Sequence, residues 1–235
     1  MVAMTTNLAT DLHTILARLC DPGDERPMVR QPVAIGVDGR TWLLGTDGGA
    51  ALALRMPSGS PIDPRFPRAD SIERKGATAM RGLIRLCPVS SVVNIPVGEL
   101  RDWLGPPVEC GPRLCTTCRG TERPASPSNS YGRCALCGNG EYTPIPEGFI
   151  RRGWIGDASL NLNLVARVLA DVSDEAVRLG VLGSTSGKTL PAGPLAIDGK
   201  SWRALVMPMN LGRDDTKKWS GAPVCPWWPR GVGGG

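Results

Sequence analysis

The run Val33-Ala-Ile-Gly-Val37, Asp38-Gly39, Arg40-Thr-Trp-Leu-Leu44 decides the fold class, because it predicts a β-hairpin. An Asp-Gly pair between two β-prone runs is the strongest short-range hairpin signal, since both central residues of the tight turn need a positive φ. A second turn at residues 46–49 leads into a third short apolar run at 50–55. This part of the chain is therefore expected to form antiparallel strands joined by short turns.

The hairpin motif occurs twice. Asp198-Gly-Lys-Ser-Trp202 matches Asp38-Gly-Arg-Thr-Trp42, with Asp, Gly and Trp identical and the other two residues conservatively exchanged. Two further pairs of segments match in the same order: 15–19 with 164–168, and 93–97 with 160–164. This order predicts a repeated strand–helix–strand–strand–strand unit. The alternative is that hairpins are common and Asp-Gly is simply their favoured turn.

Short helices are predicted between the strands. Apolar residues recur at helical spacing in 8–19, 97–104 and 164–169, with Asn163 as the N-cap of the last helix. Residues 56–76 are rich in proline and charge and predict an irregular surface loop. The fold class expected is α+β, with antiparallel sheets carrying short helices on one face.

A cysteine-rich segment interrupts this pattern. Cys115-Thr-Thr-Cys118 and Cys134-Ala-Leu-Cys137 are separated by a connector without periodicity. Two Cys-x-x-Cys pairs at this spacing indicate a closed, structural Zn²⁺ site with four thiolate ligands. Cys110 lies just upstream as an alternative extra ligand. Two disulfides or redox thiols are the other interpretation, and the absence of an export signal favours zinc.

The composition limits the classes of function. The chain has 235 residues, a net charge of +5, 30 glycines and 22 prolines, which favour many turns and permit a nucleic-acid partner. No apolar run has the length of a membrane span, and the N-terminal stretch lacks a signal-peptide pattern. We therefore expect a soluble cytoplasmic protein without a membrane partner.

Catalytic motifs are not found. The single histidine, His13, has no context for Ser/His or Cys/His catalysis. The Gly183–Thr189 stretch lacks the first glycine of a phosphate-binding loop, and the proline-containing residues after it cannot continue as the required helix. The sequence predicts that the protein is not an enzyme.

Four short segments form a further set of motifs: Leu43-Leu-Gly-Thr-Asp47-Gly, Val93-Asn-Ile-Pro-Val-Gly-Glu-Leu100, Glu141-Tyr-Thr-Pro-Ile-Pro-Glu147 and Trp202–Met209. They resemble segments of the DNA sliding clamps, and of the bacterial β clamp in particular. The resemblance implies a non-catalytic processivity factor that encircles double-stranded DNA as a homo-oligomeric ring, with a DNA polymerase or clamp loader as partner. The chain departs from the family in its net positive charge, in having material for fewer than three domains, and in its zinc segment.

The resemblance also implies a division of the chain. Residues 1–105 are the first part of a clamp-like domain, 106–143 the zinc-binding insertion, 144–212 the second part, and 213–235 a flexible tail.

Candidate DNA contacts follow from the same resemblance. Arg18, Arg101 and Arg167, one on each predicted helix, are candidate phosphate contacts, and a solvated surface arginine is the alternative for each. Trp227 and Trp228, flanked by prolines in the tail, are candidates for binding the groove of a partner protein.

Two other functions remain open. The two Cys-x-x-Cys-x-Gly-like elements resemble those of J-domain co-chaperones, although only two are present and no J domain accompanies them. A zinc-ribbon module that binds protein or nucleic acid is therefore one alternative. A structural or assembly protein with a clamp-like core is the other.

Overall fold

The computed structural model describes residues 11–22, 24, 26–86, 93–108, 150–156, 158–182, 193–209 and 222–227. The helices in this part of the chain are α1 (Leu12–Ala17), α2 (Pro27–Arg30), α3 (Ala69–Ile72), α4 (Arg74–Arg85), α5 (Val97–Leu104) and α6 (Leu162–Leu169). The strands are β1 (Val33–Val37), β2 (Arg40–Thr46), β3 (Ala50–Arg55), β4 (Val93–Pro96), β5 (Arg152–Ile155), β6 (Ala158–Asn161), β7 (Ala176–Val181), β8 (Leu195–Asp198) and β9 (Trp202–Val206).

The main sheet has seven strands in the order β1-β2-β3-β9-β8-β7-β4, and every neighbouring pair is antiparallel. Strands β5 and β6 form a separate hairpin. A helix followed by a three-strand meander occurs twice, as α1-β1-β2-β3 and as α6-β7-β8-β9, and the two meanders join where β3 pairs with β9. The antiparallel α+β fold is confirmed. Of the predicted strand–helix–strand–strand–strand unit, the helix and its three following strands occur twice, with α2 between α1 and β1. The leading strand is present before α6 as β6, and the residues before α1 lie outside the described ranges.

Helices cover both faces of the sheet, because its strands alternate apolar residues to either side. On one face α1, α5 and α6 pack side by side on a large buried cluster that includes Leu52 and Ile197. On the other face α2, α3 and α4 pack on a second cluster that includes Ile35 and Ala53. The three helices predicted from the sequence therefore share one face, as expected, and the opposite face carries helices of its own.

The prediction of a loop at 56–76 is wrong in its second half, where α3 and the start of α4 lie. Helix α4 has a narrow apolar stripe in which Ala77 and Ile84 are buried and Met80 is partly buried. Glycines and cations occupy most of the remaining positions, so the segment is polar on average and resembles the charged loop before it, although its apolar residues recur at helical spacing.

The two Asp-Gly motifs do not occupy equivalent positions in the repeated units. Asp38-Gly39 joins β1 to β2, whereas Asp198-Gly199 joins β8 to β9. By element order β2 corresponds to β8, so the matched segments are displaced by one strand. Trp42 accordingly packs on the α2/α3/α4 face, and Trp202 packs on the opposite face. The repeat is therefore real in topology, but the hairpin match is not part of it.

The cap of α6 also differs from the prediction. Asn161, rather than Asn163, is the N-cap, and its side-chain oxygen accepts a hydrogen bond from the Asn163 amide at 3.1 Å. Asn163 is fully buried and exchanges two hydrogen bonds with the backbone of Val108, at 2.7 and 3.0 Å. Its amide therefore holds residues 105–108 over the start of the helix.

Residues 222–227, within the predicted flexible tail at 213–235, contact the core. This segment pairs in parallel with β5: the Trp154 amide donates to Pro223 O at 2.9 Å, and the Cys225 amide donates to Trp154 O at 2.8 Å. Cys225 is buried in the main cluster. Single buried residues and one backbone pairing anchor the segment, and neither leaves a periodic signal in the sequence.

None of the helices in the described ranges is long and apolar enough to cross a membrane.

Candidate nucleic-acid interface

Helices α1, α5 and α6 form the face on which the predicted DNA contacts lie. Helix α1 approaches β2 closely because position 45 is glycine: a Cβ there would clash with the backbone carbonyl of Leu16. The buried residues Ile15 and Leu16 then pack into the core. Gly45 belongs to the Leu43–Gly48 segment that resembles a clamp turn, so a physical requirement for close helix–strand packing lies behind that motif.

The structure brings all three predicted arginines together around the C-terminal end of α6. Arg18 is the C-cap of α1, and its guanidinium lies 3.2 Å from both carboxylate oxygens of Asp171. The Arg18 side chain is 59% exposed. An exposed ion pair of this kind contributes only about 0–1 kcal/mol. A phosphate oxygen can therefore replace Asp171 as the partner of Arg18 at little cost.

Arg167 lies in a different environment, although it matches Arg18 in the aligned segments 15–19 and 164–168. Its side chain is 17% exposed, and its guanidinium lies 3.2 Å from Asp47 Oδ2. A second nitrogen of the same group donates to Arg18 O at 2.7 Å. Arg167 therefore ties α6 to the β2–β3 turn and to α1, and its role as a phosphate contact stays a prediction.

Arg101 is also used internally. Its guanidinium donates to Leu169 O at 2.6 and 3.1 Å, and it also donates to Val172 O. The last carbonyls of a helix lack intrahelical partners and carry partial negative charge, so a cation there stabilises the helix end. Arg101 thereby fastens α5 to the end of α6. Its role as a phosphate contact stays a prediction.

The partners of these arginines carry no local sequence signal. Asp171 lies 153 residues from Arg18, and Asp47 lies 120 residues from Arg167. Only the topology brings these carboxylates to the arginines, so the sequence pattern indicates the cations but not the aspartates that pair with Arg18 and Arg167. A shallow cleft between α1 and α6 runs along this cluster.

The start of α1 adds carboxylates to the same face. Asp11 caps the helix, and the guanidinium of Arg65 hydrogen-bonds both Asp11 and Asp63. The Arg65 hydrogen bond lowers the pKa of each carboxyl group below its ordinary value. Both groups are thus ionised at neutral pH, and positive charge on this helix is confined to its C-terminal end. The ring of His13 packs edge-to-face on Phe66, with centroids 5.3 Å apart.

The four predicted zinc ligands, Cys115, Cys118, Cys134 and Cys137, lie outside the described residues, as does Cys110. No cluster of three metal-binding side chains occurs in the part of the chain that is described.

The stretch that contains these cysteines leaves and returns at one place. At its start Val108 bonds Asn163, and at its end the Arg151 amide donates to Asn161 Oδ1 at 3.0 Å. The Arg151 side chain also donates to Leu104 O. Residues 109–149 are therefore connected to the core through a closed neck at the N-terminal end of α6.

Of the two tryptophans predicted to bind a partner, Trp227 is partly buried. Its ring meets Trp103 of α5 edge-to-face, with centroids 6.2 Å apart. Trp228 lies outside the described residues. Partner binding by this pair stays a prediction.

Comparison with known proteins gives similarity at the level of solved structures. No protein-family model and no curated protein matches the sequence. A DNA polymerase III beta subunit from Thermotoga maritima aligns with 9% identity and a TM-score of 0.43, covering 88% of this chain and 64% of that one. A DNA polymerase sliding clamp from Pseudomonas aeruginosa aligns with 14% identity and a TM-score of 0.41, covering 84% of this chain and 64% of that one. The DNA polymerase III beta subunit from Borrelia burgdorferi aligns with 11% identity and a TM-score of 0.35, covering 77% of this chain and 56% of that one. The chain spans less than two thirds of the length of these clamps.

Proposed function

We propose that this protein is a non-catalytic, clamp-like DNA-binding protein whose α1/α5/α6 face contacts the phosphates of the duplex. The observation that carries the proposal is the arrangement of two helix-plus-meander units in one antiparallel sheet, with these three helices side by side on one face. The sequence resemblance to sliding clamps at Leu43–Gly48, Val93–Leu100 and Trp202–Met209 supports it, because these segments fall at a turn, a strand-to-helix junction and a strand.

The charges on this face support contact at one edge rather than across its whole area. Arg18 is the member of the predicted set with a mostly exposed guanidinium and a weak, exchangeable partner. Helix α6 is almost entirely buried, so it positions its neighbours and does not itself face the ligand. Contacts of this type go to the DNA backbone, so binding should be independent of base sequence and should weaken steeply with salt.

The clamp proposal includes a homo-oligomeric ring that serves a DNA polymerase and is opened by a clamp loader. Sedimentation equilibrium should give a single oligomeric mass, and the protein should remain on nicked circular DNA at a salt concentration that strips it from linear DNA of equal length. A monomer that dissociates equally from circular and linear DNA would contradict the ring.

We also propose that the cysteine segment binds one Zn²⁺ through Cys115, Cys118, Cys134 and Cys137. The neck at α6 supports an insertion that folds around its own metal, because both of its ends are fixed at one place. Purified protein should contain about one zinc per chain, and Cys118→Ser should lose it, since structural zinc is bound by a complete ligand set.

The core should keep its melting temperature in the Cys118→Ser variant, because the neck lies outside the segment that loses its metal. A protein without zinc, in which these thiols are paired as disulfides, would rule the site out.

A zinc-ribbon interaction module is the second candidate function. The closed neck favours it, since Val108 and Arg151, on either side of the segment, are held at one place at the start of α6. This function predicts a monomer whose affinity for DNA or protein is lost with the metal. A structural or assembly protein with the same fold predicts neither a ring on circular DNA nor zinc-dependent binding.

A further inference from the structure

We propose that the outward face of α4 is a second phosphate-binding surface for nucleic acid, separate from the α1/α5/α6 face. Helix α4 runs from Arg74 to Arg85 and lies on the opposite side of the sheet. Its twelve residues contain four cations and no acidic residue. The four cations are Arg74, Lys75, Arg81 and Arg85.

The first turn of α4 concentrates positive charge where a helix normally carries negative charge. Arg74 and Lys75 are exposed, and within the described residues neither makes an ion pair. No side chain caps the free amides of this helix start, since the N-cap Glu73 instead accepts a hydrogen bond from the Met28 amide at 3.1 Å. Cations at a helix N-terminus add to the positive end of the helix dipole. An anionic ligand would relieve this arrangement.

The other two cations differ in how firmly they are held. Arg85 donates to Asp38 Oδ1 at 2.8 Å, and the side chains of both residues are more than half exposed. An exposed pair of this kind contributes little to stability and weakens with salt, so Arg85 can turn toward a polyanion without loss of the fold. Arg81 is only 22% exposed: it pairs with Asp70 and donates to Gly36 O at 3.0 Å, so it ties α4 to α3 and β1 and adds positive charge beside the surface.

The surface between the cations is made of small residues. Thr78, Ala79 and Gly82 are exposed along the helix, and a Cβ at Gly82 would meet nothing within 4 Å. A glycine inside a helix costs stability relative to alanine. Packing among the described residues does not require a glycine at position 82. The absence of a side chain there lets an extended polymer approach the helix backbone.

The platform beneath this surface is rigid. Ala77 and Ile84 are buried, and Arg203 donates to Ile84 O at 2.6 Å and to Leu86 O at 2.7 Å, which fixes the C-terminal end of the helix to β9. The length of α4 is about 18 Å, so its cations span several consecutive phosphates of a duplex backbone.

Nucleic acid fits this surface better than a membrane or an apolar peptide. The exposed large hydrophobic residues of the described ranges are Ile150, Met207 and Val224, and none of them lies on α4. A membrane-surface helix needs an apolar face in the lipid, and a peptide groove needs buried anchors, but α4 already buries its own apolar stripe in the protein core.

The test is a fluorescence anisotropy titration of the full chain with a labelled 30-base-pair duplex over a range of salt. The Arg74→Glu/Lys75→Glu variant should lose at least tenfold in affinity at low salt, and the slope of log K against log salt should fall by about two, one per phosphate contact. Lys75→Glu by itself should weaken binding several-fold. Lys200→Glu is the matched control, because Lys200 is exposed in the turn before β9, and it should change affinity less than twofold.

Unchanged affinity and slope in the double variant would overturn the proposal. A variant that loses binding to anionic vesicles but keeps its affinity for the duplex would overturn it as well. The titration is repeated with Arg18→Glu as the background: the same loss there would show that the α4 surface acts by itself, so the clamp proposal can fail while this one stands.

Discussion

The two hairpins with the shared motif, Asp38–Trp42 and Asp198–Trp202, use the same residues for different physical purposes. At the first, Asp38 and Gly39 both have positive φ, of 50° and 72°, and form a two-residue turn with an exposed aspartate. At the second, Asp198 is buried against Arg203, with Oδ1 to Nε at 2.5 Å. An Asp-Gly match between two segments therefore predicts a hairpin in each and nothing about burial or symmetry.

The glycines differ in the same way. Gly39 is required by its backbone conformation, and a Cβ there would meet no other atom within 4 Å. Gly199 has no positive φ, but its Cβ would clash with the Asp174 carboxylate and with the Trp202 indole. Asp174 accepts hydrogen bonds from the Lys200 amide and from the Trp202 ring nitrogen. The second hairpin is therefore built around a carboxylate supplied by another loop.

Substitution of the two aspartates should give the largest difference in stability between the two hairpins. Asp198→Asn removes the charge facing Arg203, which is only 14% exposed, and the cost should be about 3 kcal/mol because a partly buried guanidinium loses its counter-ion. Asp38→Asn keeps a residue that tolerates positive φ and loses only the exposed pair with Arg85, so it should cost less than about 1 kcal/mol. Urea unfolding of both variants measures the difference, and equal costs would contradict the distinction.

Substitution of the glycines gives the next largest effect. Gly199→Ala should cost about 2–3 kcal/mol through steric overlap. Gly39→Ala should cost about 1–2 kcal/mol through its backbone conformation. Asparagine distinguishes the two causes, because it tolerates positive φ: Gly39→Asn should recover most of the loss, and Gly199→Asn should recover none. Recovery at both positions, measured by chemical denaturation, would show that the cause is conformational at both.

The two arginines of the helix repeat should also differ in their contribution to stability, by a smaller amount. Arg167→Ala should destabilise the protein by about 2 kcal/mol, since it removes the bonds to Asp47 and to Arg18 O. Arg18→Ala should cost less than about 1 kcal/mol, because its ion pair is exposed. Similar melting temperatures for the two variants would mean that their different environments have no energetic consequence.

A small stabilisation is expected at α4. Gly82→Ala should raise stability by about 0.5–1 kcal/mol, because the methyl group meets open space and alanine favours the helix. Thermal unfolding checks this. A loss of stability would mean that a neighbour outside the described residues packs against this position.

The sequence predicts most of the strands because they are short, apolar and bounded by Gly-containing turns. Strand β3 has the predicted bounds, and α5 is found at 97–104 as expected. Helix α4 is missed because its segment is polar on average and continues a stretch rich in proline and charge, and residues 222–227 are missed because a backbone pairing leaves no compositional trace. The candidate site is predicted in part: local periodicity places the three arginines on helices, whereas Asp47 and Asp171 reach them only through the topology of the sheet.

The central claim is that the α1/α5/α6 face contacts the DNA backbone through Arg18, and a duplex titration of Arg18→Glu tests it most directly. Arg167 and Arg101 stay intact in this variant, so the fold is retained, as circular dichroism should confirm. The account predicts at least a fivefold loss of affinity at low salt and a salt slope smaller by about one, with Lys200→Glu close to wild type. An Arg18→Glu protein that binds duplex DNA with the affinity and salt slope of the wild type would contradict it.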